Sequence, residues 1–232
     1  RSSQRSAQLA MFYEGRYSSI GIHPTDNITE HFWKEYFEEL AVAPKVVAIG
    51  ECGLDYFRAD GLADDERARQ KKLFEDQLEL AVSVGKPLMI HCRNAHEDMI
   101  DILTAKKREY GDRLWGNIHF FTAGEDIARR YLDLAFTLSF SGVVTFARDY
   151  DDAIRYAPLD MILSETDSPY ATPIPNRGKR NEPMFVKEVV KKLAEVRGED
   201  FDRVREATVQ NAFRVFLSLP HTTPVPVATA GR

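Results

Sequence analysis

Residues 45–56 read KVVAIGECGLDY. Apolar residues follow one another here instead of alternating with polar ones, the pattern of a strand covered on both faces, as in a parallel sheet flanked by helices. Working outward, five other runs share this character: YSSIGIHP (17–24), KPLMIHCR (86–93), WGNIHFFTAG (115–124), LAFTLSFSG (134–142) and LDMILSETDSP (159–169). Helical patterns separate them. In 64–87, Phe74, Leu78, Ala81 and Val82 share one face, acidic residues crowd the start, and Gly85 followed by Pro87 supplies a stop. In 181–198, Val186, Val189, Val190 and Leu193 recur at helical spacing between Pro183 and Gly198. A last helix is expected through FDRVREATVQNAFRVFL (201–217), and the Pro- and Thr-rich 218–232 reads as a flexible tail. Strands alternating with helices give an α/β class, and one domain over 1–217 is expected.

The chain has 232 residues, 44% of them apolar, enough for one large core. A formal net charge of −5 argues against coating nucleic acid through a general basic surface, but is compatible with a local phosphate site. No run approaches the ~18 consecutive apolar residues of a membrane span, and RSSQRSAQLA lacks the apolar centre of a signal peptide. A soluble, cytoplasmic protein without a membrane association or an obligate protein partner is expected. Two cysteines, Cys52 and Cys92, make no disulfide framework and read as small packing residues.

Ionisable residues end the apolar runs. Strands of a parallel barrel all point one way, so their C-terminal ends converge on one rim. Glu51, His91, His119 and Asp167 each stand near the end of a different run, and such side chains suit Zn²⁺, Mn²⁺ or Mg²⁺. A carboxylate at the mouth of a core strand needs a cation, hydrogen bonds or water to offset its desolvation, which Asp167 and Glu165 make pressing. Each residue alone is as readily a capped or hydrogen-bonded core group. Four at equivalent positions favour a metal centre.

Six segments, GIHP (21–24), AIGECGLDY (48–56), PLMIHCRNAHED (87–98), IHFFTAG (118–124), ILSETDSPY (162–170) and RGKRNEP (177–183), resemble the successive motifs of the TatD family, in that family's order, over residues 1–217. The resemblance implies a TIM (β/α)8 barrel of amidohydrolase-like type, two divalent cations (Mg²⁺, Mn²⁺ or Zn²⁺) in the complete protein, and hydrolysis of phosphodiester bonds, with DNA as substrate. It makes Glu51 a ligand bridging two cations and His91 and His119 ligands of the second. Asp167 becomes a metal-associated carboxylate that accepts the attacking water's proton. His23 and Arg93 are expected to face the substrate phosphate. Lys179, Arg180 and Asn181, in a Pro- and Gly-rich loop, either hold a neighbouring phosphate or form a solvated basic loop. Glu165, deeper along its strand than Asp167, is expected to be a buried partner.

The sequence departs from the family in one respect: the Asp-x-His-x-His motif of the family's first strand is absent. RSSQRSAQLAMFYEG resembles the helix after the family's second strand, so six strands are expected where the barrel has eight. A part of a longer protein is the expected explanation, set against a disordered first segment and a shortened chain that keeps most ligands of only one cation. Three functions stay open: a metal-dependent deoxyribonuclease, an esterase or amidase built on the same centre, and an inactive barrel serving as a binding module.

Overall fold

The computed structural model describes residues 2–26, 32–57 and 63–217; the expected tail lies outside them. Six strands form one sheet in chain order: β1 (Ser18–Ile20), β2 (Val46–Asp55), β3 (Leu88–Arg93), β4 (Gly116–His119), β5 (Thr137–Phe140) and β6 (Ile162–Ser164). Every neighbouring pair is parallel. Helices intervene: α1 (Ser2–Met11) before β1, α2 (Lys34–Ala41), α3 (Asp64–Val84), α4 (His96–Tyr110), α5 (Glu125–Asp133) and α6 (Asp151–Tyr156) on the crossovers, then α7 (Val186–Arg197) and α8 (Phe201–Leu217). The six expected runs each contain one strand, in a TIM-barrel-like sheet that ends at β1 and β6 without closing. Among the described residues, no helix is long and apolar enough to cross a membrane.

The core lies between sheet and helices. Ile49, Leu54, Leu88, Ile90, Leu138 and Phe140 from the strands are fully buried, as are Phe74 and Leu78 of α3 and Leu193 of α7. Each buried apolar side chain of this size contributes about 1.5–3 kcal/mol. Cys52 and Cys92 are buried free thiols, as expected of packing residues. Gly85 and Gly198 end α3 and α7 in the left-handed conformation, each N–H returning to carbonyls of the last turn.

Two polar devices fix the strands that carry the rim. Two buried glutamines lie two turns apart on α3. Gln77 accepts from the Ile22 N–H (2.7 Å) and donates to the Ile22 carbonyl (3.0 Å). Gln70 does the same for Asp55, at 2.8 and 3.2 Å. Each carboxamide replaces the backbone partner that the chain would otherwise lack at a strand end.

The second device is an irregularity in β2. Gly50 pairs with Met89 and Cys52 with Ile90, so Glu51 is left over as an extra residue. Such a bulge re-aims the side chain it carries. Just beyond it, Gly53 has φ +147°, and a Cβ there would stand 1.9 Å from the His91 carbonyl oxygen. Gly53→Ala is therefore expected to destabilise the fold by about 3 kcal/mol, a fall of roughly 6–12 °C in melting midpoint. A thermal melt checks this, and an unchanged midpoint would contradict the close β2–β3 packing.

Candidate metal centre

The strand ends deliver their polar side chains to one place. Glu51 Oε1 lies 2.9 Å from His91 Nδ1, 3.5 Å from His23 Nε2 and 3.6 Å from His119 Nε2. Asp167 Oδ1 is 3.8 Å from His119 Nε2. Three imidazoles from β3, β4 and the segment after β1 thus surround one carboxylate oxygen from the β2 bulge.

The far side of two of these rings is anchored. His91 Nε2 meets Asp55 Oδ2 at 2.9 Å, and His119 Nδ1 meets Glu165 Oε2 at 2.7 Å. Asp55 is itself held: its other oxygen accepts from the Phe57 N–H, and Gln70 pins its backbone. Glu165 accepts from the Ser139 hydroxyl, which in turn accepts from Asn117 Nδ2. A carboxylate on one imidazole nitrogen directs the other nitrogen toward the site and raises its basicity. His23 is steadied by Thr25, whose hydroxyl lies 2.8 Å from Nδ1, and its ring packs edge-on against His91.

The electrostatics follow from this crowding. Burial opposes ionisation of Glu51, but hydrogen bonds from His23 and His91 and the charge of His119 overcome it and hold the carboxyl well below its usual range. Burial also opposes protonation of His119, yet the charge and hydrogen bond of Glu165, with Glu51 and Asp167, lift it to about 9. Asp167 is raised by burial and by the neighbouring Glu165 and Glu51, against the pull of His119.

His23, Glu51 and His91 present donor atoms all within 4.8 Å of one another, a spacing that can hold a metal ion. With His119 and Asp167 alongside, the nitrogen and oxygen donors are those of Zn²⁺ or Mn²⁺ centres, and the anchored imidazoles supply the orientation such centres need. The residues present fit a divalent cation. They open on a cavity of about 670 Å³ lined by the cluster together with Phe57, Arg93, Asn94, Phe120, Tyr150 and Tyr170.

Each expected residue has a definite place. Glu51, His91, His119 and Asp167 come together at the floor of the cavity, and Glu165 sits behind His119. His23 joins the metal-type cluster itself, closer in than a residue facing only substrate. Arg93 lies at the mouth, its guanidinium 3.6 Å from the Phe57 ring centre. Lys179 is exposed and is not among the residues lining the cavity. Asn181 corrects the expectation of a phosphate ligand: it is only 1% exposed, and its side-chain amide donates to the Thr166 and Tyr170 carbonyls. Asp55 was missed, although its position at the end of β2 is the same signal that drew attention to Asp167. Gln70 and Gln77 were missed because nothing in a helical pattern separates a buried amide from a solvated one.

Residues 1–217 match the family described as TatD related DNase. The chain is 40% identical over 216 residues to "uncharacterized metal-dependent hydrolase YabD" of Bacillus subtilis, covering 91% of this chain and 82% of the relative. It is 34% identical over 227 residues to the "3'-5' ssDNA/RNA exonuclease TatD" of Cronobacter sakazakii, covering 93% and 82%. The fold is similar to that of the TatD homologue YJJV of Escherichia coli, with TM-score 0.82, 29% identity, and 94% and 82% of the two chains covered.

If Asp55 orients His91, Asp55→Asn is expected to weaken Mn²⁺ or Zn²⁺ binding by about 10–100-fold, with a folded circular-dichroism spectrum retained. Calorimetric titration of both proteins checks this. Unaltered affinity would remove Asp55 from the centre.

Proposed function

The chain belongs to the TatD-related DNase family of metal-dependent hydrolases, and from that premise we propose that it hydrolyses phosphodiester bonds in nucleic acid, DNA in the first instance. The observation that carries this reading is the partly buried Glu51 carboxylate, one oxygen ringed by three imidazoles in an open cavity that Arg93 and Asp167 also line. A relative named as a single-stranded DNA and RNA exonuclease supports the substrate class. A divalent cation would be held by donors of this cluster, Glu51 with His91, His119 and His23 around it.

When bound, a divalent cation lowers the pKa of adjacent water and offsets charge gathering on the phosphoryl oxygens. The chain's own residues do the rest. Arg93, exposed at the mouth and stacked on Phe57, offers a planar fork suited to two phosphate oxygens. The Asp167 carboxylate, facing the cavity, orients the attacking water and takes its proton at Oδ1. Glu165 and Asp55 keep the two imidazoles turned inward while the substrate binds. Lys179 is left as a distant contact for an adjoining phosphate.

Chelation of the purified protein is expected to abolish cleavage of single- and double-stranded DNA, and Mg²⁺, Mn²⁺ or Zn²⁺ to restore it. Activity indifferent to chelation would sink the reading. Asp167→Asn should lower kcat by about 10²–10⁴-fold in a protein of unchanged melting behaviour. Arg93→Ala should act mainly on KM, by about 10-fold, from loss of one charge-assisted phosphate contact; unchanged diester kinetics would rule out its phosphate role.

A further inference from the structure

Asn181 has no side-chain donor left for a substrate phosphate. Its Nδ2 donates to the Thr166 carbonyl at 2.8 Å and to the Tyr170 carbonyl at 2.5 Å, and its Oδ1 accepts from the Glu182 N–H at 2.9 Å. Its own backbone N–H donates to the Pro169 carbonyl at 3.1 Å. A carboxamide carries two N–H donors, and both are used here.

What they span is the segment that bears Asp167. Thr166 and Tyr170 flank it, and the turn is closed by the Tyr170 N–H donating to the Asp167 carbonyl at 2.9 Å. Asp167 has φ +54°, in the left-handed region that costs an ordinary L-residue about 1–2 kcal/mol and persists only where the surroundings enforce it. Its side chain is thereby aimed at the cavity in place of the direction that an extended strand continuation would give. Carboxamides hold the opposite rim in the same way: Gln77 pins Ile22, next to His23, and Gln70 pins Asp55, behind His91.

We propose that Asn181 is a positioning residue: its two amide hydrogens tie Thr166 to Tyr170 and so hold the Asp167 carboxylate over the metal cluster. The consequence for turnover rests on the role given to Asp167 above; the mechanical part does not. A displacement of about 1 Å in such a group is enough to cost up to about 100-fold in rate.

The test uses Asn181→Ala and Asn181→Asp, the second keeping the shape while removing both donors. Both are expected to lower kcat by about 10–100-fold and to leave KM and bound Mn²⁺ within about 3-fold. In an Asp167→Asn background, Asn181→Ala should add less than about 3-fold, since the group it positions is already lost. Hydrogen–deuterium exchange at the Tyr170 amide should quicken in both variants, with the strands β2 to β4 unchanged. Retained kcat, an equal loss in both backgrounds, or unaltered Tyr170 exchange would overturn the proposal, as would exchange that quickens throughout the sheet. Were the wild-type protein to cleave no diester, the functional reading would fall, and the exchange measurement would still decide the clamp.

Discussion

One carboxylate oxygen, Glu51 Oε1, sits among three imidazoles from three other segments of the chain, and the arrangement of the whole rim follows from satisfying it. A lone ionised carboxylate taken from water costs several kcal/mol, so it persists only with opposite charge or hydrogen bonds around it. The parallel sheet supplies those partners, because every strand delivers its C-terminal end to the same side. The β2 bulge at Glu51 then turns the carboxylate toward them.

Behind this contact stands a second layer with its own logic. Asp55 and Glu165 fix the outward nitrogens of His91 and His119, and each is fixed in turn, Asp55 by Gln70 and the Phe57 N–H, Glu165 by Ser139. Thr137, Asn117 and Ser139 form a buried polar column along β4 and β5, where apolar side chains would pack at less cost, and it leads to the partly buried Glu165 just past β6. Hydrogen bonds at each link offset that cost, while Glu165 Oε1 is buried without a partner. What the column secures is the orientation of His119.

Much of the fold was legible because burial on both faces writes a continuous apolar run. All six runs contain strands, and α8 spans Phe201–Leu217 as its periodicity suggested. Depth along a strand was the ground for dividing Asp167 from Glu165, but both lie past the end of β6: Glu165 meets His119 Nδ1, while the left-handed turn at Asp167 aims its carboxylate at the cavity. The bulge was not legible, because a continuous apolar run has no alternation for an inserted residue to interrupt. Asn181 misled for a related reason. In a basic, Gly- and Pro-rich loop an amide reads as a solvent-facing group, and only tertiary folding of that loop onto the turn at 166–170 buries it. Gln70 and Gln77 stayed hidden among the polar residues of α3, whose buried stripe is partly polar.

The donors of this cluster fit a divalent cation held against Glu51. Anomalous scattering from crystals of the protein soaked in Mn²⁺ tests it most directly. A peak is expected in contact with Glu51, His91 and His119, with the remote nitrogens of the two imidazoles still facing Asp55 and Glu165. No peak at the cluster under saturating Mn²⁺, or a cation bound elsewhere while these residues keep only one another as partners, would contradict it.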